Sequence, residues 1–238
     1  MKYQAILFDL DGTLLPMDEP LFVNALTMGM IQRLSSDPTM FVQIGKGLQK
    51  SLLHVIANDG SCSNKQAFIN YYDTHVDTIG MHVSLEVTER YYQTDFAQAV
   101  QNTCGFDPEA AELIAFVKQT GTPMIVATNP FFPCVATHTR IRRAGLDPED
   151  FAEITTYEDY HYCKPNLQYY KELFARTGFD PHKCLMVGNN VDEDMIARHL
   201  GCDVFLVTRN LINANHVDVS MFAQGSLKDL QWILQNEQ

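Results

Sequence analysis

The sequence has no long apolar run and little positive charge. No window reaches the roughly 18 consecutive apolar residues of a membrane-spanning helix. The 17 lysines and arginines are outnumbered by 29 aspartates and glutamates, which gives a formal net charge of −12. Nucleic acids and anionic membranes attract clusters of positive charge, and the sequence has no basic run. We therefore expect neither nucleic acid nor membrane as a partner.

The sequence also lacks an export signal and a paired-cysteine motif. Residues 1–4 lead directly into an apolar segment without the features of a signal peptide. The six cysteines are scattered, and no two of them form a C-x-x-C pair. Structural disulfides belong mainly to exported proteins. We therefore expect a cytoplasmic protein with reduced thiols.

An alternation of short apolar runs and amphipathic segments is present instead. With 238 residues, the chain is long enough for an α/β domain that carries a smaller inserted domain. The apolar runs predict strands at 5–8, 123–128, 154–155, 184–188 and 204–207. Helices are predicted at 108–119, 132–144, 165–177, 191–200 and 227–234. Repeated β-α units of this length predict a doubly wound parallel sheet.

Between residues 18 and 102 the pattern is helical throughout. Asp18 and Asp37 each come shortly before a proline, as is typical of helix N-termini. Ser63 and Gln66 have the spacing of a capping box, and Ser84 is a candidate cap for a fourth helix. Four helices without an intervening strand predict a small bundle inserted after the first strand.

The first predicted strand ends in two aspartates one residue apart, Asp9 and Asp11, followed by Gly12 and Thr13. Ligands of open α/β sheets bind at the carboxyl ends of the strands. Residues two apart on an extended chain point the same way, so both carboxylates should face one pocket. Two carboxylates that close repel unless a cation lies between them or one is protonated. The pair therefore indicates a metal, or a division of roles between nucleophile and acid.

Later segments also end in residues suited to phosphate chemistry. Thr128 and Asn129 follow the second strand, where a hydroxyl and backbone N–H groups can donate to a phosphate oxygen. Lys164 precedes a proline at the start of a predicted helix, and its ammonium group is free to reach a dianion. An acidic loop, 188–194, follows the fourth strand and opens a helix. Each signal is weak alone, but their order and spacing support one another.

Together these residues resemble the four motifs of the haloacid dehalogenase (HAD) superfamily. Asp9 to Thr13 match D-x-D-G-T, and Thr128, Lys164 and the 188–194 loop follow in the family's order. The resemblance implies an HAD-like Rossmannoid core formed by residues 1–16 and 103–238. It also implies that residues 17–102 form an all-helical cap, similar to the C1 cap of the phosphoglycolate-phosphatase-like branch.

The resemblance implies a Mg²⁺-dependent phosphatase that hydrolyses a small phosphorylated metabolite. Asp9 would attack phosphorus and form an aspartyl-phosphate, and Asp11 would act as general acid and base. Thr128, Asn129 and Lys164 would hold the phosphate. Mg²⁺ would bind Asp9, the backbone carbonyl of Asp11 and the motif IV loop.

The motif IV loop departs from the family's pattern. The family usually has an aspartate just after the glycine, whereas this chain has Asn189 and Asn190. An amide oxygen can ligate Mg²⁺ but brings no charge, so we expect weaker metal binding. Asp194 matches the second acid of the motif, and it would bind the metal through water or anchor Lys164. Asp192 is a further candidate ligand, and the sequence leaves the choice open.

Other functions agree less well with these residues. A phosphomutase would use the same aspartyl-phosphate, and a non-catalytic HAD-fold binding module would explain the missing acid of motif IV. A dehalogenase is disfavoured because a halide leaving group needs no proton from Asp11. Specificity should lie in the helical insert, whose aromatic residues are candidates for a pocket or for the bundle core: Phe22, Phe41, Phe68, Tyr71, Tyr72 and Tyr91. Lys46 and Lys50 are predicted to lie on a solvated helix face.

Overall fold

A computed structural model describes residues 2–76 and 85–236, and within them one six-stranded sheet is formed. The strands are β1 (Ala5–Phe8), β2 (Met124–Val126), β3 (Glu153–Ile154), β4 (Cys184–Gly188), β5 (Asp203–Val207) and β6 (Ala223–Gly225). Their order is β3-β2-β1-β4-β5-β6, and every adjacent pair is parallel. The predicted parallel sheet is confirmed.

Strand β1 lies near the middle of the sheet and is buried on both faces. Ile6 and Phe8 contribute to one apolar cluster, whereas Ala5 and Leu7 contribute to another. Successive side chains of a strand point to opposite faces, so each face of the sheet carries its own core. This two-sided burial explains the continuous apolar run at the start of the sequence.

Nine α-helices occur in the described residues. Five lie between β1 and β2: α1 (Glu19–Leu34), α2 (Phe41–Ile56), α3 (Asn64–Val76), α4 (Leu85–Thr94) and α5 (Phe96–Thr103). The others are α6 (Pro108–Gln119), α7 (Cys134–Arg143), α8 (Leu167–Thr177) and α9 (Leu227–Asn236). A doubly wound sheet is therefore confirmed, and the described part of the insert after the first strand contains helices and no β-strand.

Each predicted capping residue that lies within the described residues accepts a hydrogen bond from a backbone N–H group. Asp18 accepts a hydrogen bond from the Leu21 N–H at 3.0 Å, and Ser63 accepts one from the Gln66 N–H at 3.3 Å. Asp37 accepts from the Thr39 N–H at 2.9 Å, but it opens a 3₁₀ turn that precedes α2. The predicted cap Ser84 lies outside the described residues.

Three elements differ from the sequence-based expectation. The predicted fourth helix is divided into α4 and α5 at Asp95, whose carboxylate pairs with Arg33 of α1. The predicted helix 191–200 consists of turns and a 3₁₀ helix, Met195–Leu200. Side-chain bonds compete there with helical ones, because Asn190 Oδ1 accepts from the backbone at residues 192 and 193. Strand β6 was not predicted, since three residues that include a glycine give no periodic signal.

The two connections between the sheet and the helical insert (residues 17–102) lie side by side. The Gly105 N–H donates to the Pro16 carbonyl at 2.6 Å, and Phe22 and Phe96 of the insert join the cluster that contains Phe8. The division into a core domain and a cap domain stays a prediction. Among the described residues no helix is long and apolar enough to cross a membrane, and all six cysteines are free thiols.

Candidate active site

A cavity of about 800 Å³ opens between the carboxyl ends of the central strands and the helical insert. Seven of the eight predicted site residues line it: Asp9, Asp11, Thr128, Asn129, Asn189, Asn190 and Asp194. The eighth residue, Lys164, does not line the cavity: it is 2% exposed, and its ammonium group contacts the Asp9 carboxylate. The fold thus gathers residues from distant parts of the chain, from Asp9 to Asp194.

Lys164 is held between two carboxylates. Its ammonium donates to Asp9 Oδ1 at 2.9 Å and to Asp194 Oδ1 at 2.6 Å. Burial lowers the pKa of Lys164, but the charges of Asp194 and Asp9 outweigh this and place its pKa well above the usual value. Lys164 is therefore charged at neutral pH. It also fixes the position of the Asp9 carboxylate.

Asp11 is paired with a residue that the sequence did not indicate. Arg140 of α7 is fully buried, and its Nη1 donates to Asp11 Oδ2. The guanidinium lies 4.4 Å from the centre of the Phe132 ring, while Asp11 Oδ1 is buried and has no hydrogen-bond partner within residues 2–76 and 85–236. Burial raises the pKa of Asp11, and Arg140 offsets part of that increase. A raised pKa favours the protonated carboxyl that a general acid needs.

Thr13 links the first aspartate to motif IV. Its hydroxyl lies 3.1 Å from Asp9 Oδ2 and 2.9 Å from Asn189 Oδ1. A hydroxyl has one proton to donate, so it satisfies only one of these two oxygens at a time. The second amide atom of Asn189, Nδ2, donates to the Asn210 carbonyl at 2.7 Å, which turns Oδ1 toward Asp9.

These oxygens fit a hard divalent cation. Mg²⁺ prefers carboxylate and carbonyl oxygens as ligands. Asp9 Oδ2 and Asn189 Oδ1 both lie near the Thr13 hydroxyl, whose single proton can satisfy only one of them at a time. Gly12 makes this approach possible: at φ +84°, an added Cβ would lie 2.5 Å from Asn189 Nδ2. Within residues 2–76 and 85–236, no three His, Cys, Asp or Glu side chains form a metal-binding group.

The other motif IV side chains are already engaged. Asp194 is fully buried, and besides Lys164 it accepts from the Asn190 N–H at 2.9 Å. Asn190 Oδ1 accepts from the Asp192 and Glu193 N–H groups at 3.1 and 3.3 Å. Asp192 Oδ2 accepts from Asn215 Nδ2 at 2.9 Å. Of the alternatives left open by the sequence, Asp194 as the anchor of Lys164 agrees with these contacts.

Asn129 connects two parts of the site through its side chain. Its Oδ1 accepts from the Lys164 N–H at 2.8 Å, and its Nδ2 donates to Glu193 Oε2 at 2.8 Å. Burial raises the pKa of Glu193 to about 7; Lys164 lowers it, and Asp194 and Asp9 raise it. The Asn129 amide therefore organises the loop, and the neighbouring Thr128, 1% exposed on the cavity wall, is the better placed of the two for a phosphate oxygen.

Sequence reasoning missed three contributors to this geometry. Thr13 belongs to the first motif, but its role depends on the distant Asn189. Glu193 was visible as part of the acidic loop. Arg140 gave no signal, because a helical arginine among other basic residues usually lies on a solvated face.

Comparison with known proteins decides the family. A model of the haloacid dehalogenase-like hydrolases matches residues 3–199. The chain belongs to this family. The predicted resemblance is thereby confirmed for most of the chain, and the members of this family are hydrolases.

A curated relative matches a shorter part of this HAD-family chain. It is a glyceraldehyde 3-phosphate phosphatase from Methanothermobacter thermautotrophicus, 34% identical over 71 residues. The match covers 29% of this chain and 31% of the relative, so the chain spans about a third of that protein.

Solved structures share the whole fold. A predicted phosphoglycolate phosphatase from Haemophilus somnus has a TM-score of 0.58 and 18% identity, with 100% of this chain and 99% of the other covered. The L-2-haloacid dehalogenase from Xanthobacter autotrophicus has a TM-score of 0.57 and 16% identity, with 98% and 99% covered. At these identities the likeness concerns the fold, which both kinds of enzyme share.

Proposed function

We propose that this HAD-family hydrolase is a Mg²⁺-dependent phosphatase that cleaves a small phosphomonoester through an aspartyl-phosphate. The observation that carries the proposal is the convergence of Asp9, Asp11, Thr128 and Asn189 on one cavity, with Lys164 against Asp9. The phosphatase named among its relatives adds support.

Asp9 is the proposed nucleophile. Lys164 and Thr13 hold its two carboxylate oxygens, so the attacking group is fixed before the substrate enters. Attack of a carboxylate oxygen on phosphorus forms the Asp9–phosphate bond and breaks the bond to the leaving alcohol. Water then cleaves the acyl-phosphate and releases inorganic phosphate. Two easier displacements replace one difficult one.

Asp11 is the proposed proton carrier. It protonates the leaving alcohol in the first step and accepts a proton from the attacking water in the second. Burial favours its protonated form, as the first step requires. This role also separates a phosphatase from a dehalogenase, because a halide leaves without a proton.

Asp9, the Asp11 backbone carbonyl and Asn189 are the proposed Mg²⁺ ligands. When bound, the cation shields the Asp9 carboxylate from the negative charge of the phosphate and stabilises the charge of the transition state. Thr128 and Lys164 donate hydrogen bonds to the phosphoryl oxygens during transfer. Asp194 keeps the Lys164 ammonium charged and in place.

The Asp9→Asn variant tests this proposal. Wild-type protein with Mg²⁺ should hydrolyse members of a phosphomonoester panel, and D9N should lose at least about a thousandfold in kcat, as loss of a nucleophile does. Asp59→Asn, an exposed position in the helical insert, is the matched control and should keep full activity. Undiminished hydrolysis by D9N would overturn the proposal, as would absence of hydrolysis by the wild type.

A further inference from the structure

The residues that line the active-site cavity indicate the chemistry of the alcohol part of the substrate. We infer, resting on the proposed phosphatase function, that the substrate is the phosphomonoester of an alcohol with a large apolar body, aromatic or medium-chain aliphatic. A cavity of about 800 Å³ has room for such a body.

The lining divides into a polar end and an apolar end. The polar side chains Asp9, Asp11, Thr128 and Asn189 lie at the strand ends. Away from them the wall is built mainly of apolar side chains from the insert and from the loop after β2, among them Phe22, Met30, Leu52, Tyr92, Phe131 and Phe132.

Polar residues of the insert lie at the outer part of the cavity. Glu19, Lys46 and Gln49 are exposed, whereas the apolar wall residues Phe22 and Met30 are each only 3% exposed. Among the described lining residues, Lys46 is the one cationic side chain. An apolar body would therefore contact buried side chains such as Phe22 and Met30, and charged groups would remain hydrated at the entrance.

The apolar wall is also firmly packed. The Phe132 ring makes edge contacts with Phe22 and Tyr92 at 6.1 and 6.3 Å between ring centres, and Arg140 lies against it. A preformed aromatic wall loses little entropy when it binds an apolar group.

A sugar or other polyol would bind poorly in this cavity. Its hydroxyl groups need hydrogen-bond partners once they leave water, and a buried hydroxyl without a partner is costly. The nearby amides of Asn129 and Asn190 already use their side-chain oxygens on backbone N–H groups. Apart from Thr27 and the residues at the entrance, Glu19, Lys46 and Gln49, the insert offers apolar contact area in place of hydrogen bonds.

Two adjacent leucines of α2 allow a matched test. Leu52 lines the cavity, whereas Leu53 is 57% exposed and lies outside it. Wild type, L52Q and L53Q should be assayed with methyl, butyl and octyl phosphate, phenyl phosphate and glucose 6-phosphate, with D9N as the inactive control. Binding of methyl-, butyl- and octylphosphonate, measured by calorimetry, adds a readout that needs no turnover.

In the wild type, kcat/KM and phosphonate affinity should rise two- to fourfold per methylene, as expected for burial of a CH₂ group. L52Q should lower kcat/KM for octyl phosphate about tenfold and for methyl phosphate less than twofold, and L53Q should match the wild type.

A flat series, or a preference for glucose 6-phosphate with D9N inactive, would overturn the substrate inference and leave the proposed function standing. Equal activity of D9N and wild type would instead overturn the proposed function, and the inference with it.

Discussion

Asn189 contributes an oxygen to the site where the family usually has a carboxylate. The Asn189 Oδ1 and Asp9 Oδ2 atoms both lie within hydrogen-bond distance of the Thr13 hydroxyl. The Asn189 amide nitrogen donates a hydrogen bond to the Asn210 carbonyl. The proposed Mg²⁺ site would therefore carry one negative charge fewer than a site with an aspartate at position 189. Metal affinity, more than metal geometry, should distinguish this protein from relatives with an aspartate there.

Asn189→Asp should strengthen Mg²⁺ binding by about tenfold, because ligand charge tunes the affinity of oxygen sites. In EDTA the same variant should melt at a lower temperature than the wild type, since a second carboxylate then faces Asp9 without a cation. Titration of the melting temperature with Mg²⁺ measures both effects.

Asn190→Asp is the matched control for this substitution. The Asn190 oxygen accepts backbone N–H groups, and a carboxylate at this position can accept the same bonds, so Mg²⁺ affinity should stay close to that of the wild type. A gain in affinity for N190D and none for N189D would assign the metal contact to position 190.

Among the helices and strands, α3 is linked at its N-terminus to the loops around the site by hydrogen bonds. Asn64 is fully buried; its Nδ2 donates to the Pro130 carbonyl at 3.3 Å and contacts Cys163 Sγ at 3.4 Å. Its backbone N–H donates to the Tyr160 carbonyl at 2.8 Å. One asparagine thus connects the helical insert to the segment that carries Lys164.

Asn64→Ala should lower the free energy of unfolding by about 1–3 kcal/mol, because it leaves buried polar groups without partners. Amide hydrogen exchange should become faster in α3 before it does in β1 or β4. Asn102→Ala, which removes an exposed hydrogen bond to Gln98, should cost less than about 0.5 kcal/mol. Equal costs for the two variants, or unchanged exchange in α3, would contradict this role of Asn64.

At the scale of the whole molecule, the sequence predicted what depends on local pattern. The apolar run of β1 and the caps at Asp18 and Ser63 follow from spacing within a few residues, and the structure has them. The order of Asp9, Thr128 and Lys164 along the chain was enough to predict that they meet at one edge of a parallel sheet.

Features that depend on distant packing were not predictable. The sequence placed Lys164 near the phosphate and left Asp194 open as its anchor, but the burial of Lys164 between Asp9 and Asp194 depends on how distant segments pack. Arg140 acquires its role only because α7 packs beside the end of β1. The apolar lining of the cavity combines residues of α1, α2 and the loop after β2, which no single periodicity relates.

We expect Asp9 to become phosphorylated during turnover. Protein in excess over a labelled phosphomonoester should be quenched with acid within one turnover, and the labelled peptide should be located by mass spectrometry. The peptide that contains Asp9 should carry an acid-stable phosphoryl group in the wild type and none in D9N. A phosphoryl group on another residue, or turnover that proceeds with no labelled protein at any quench time, would contradict it.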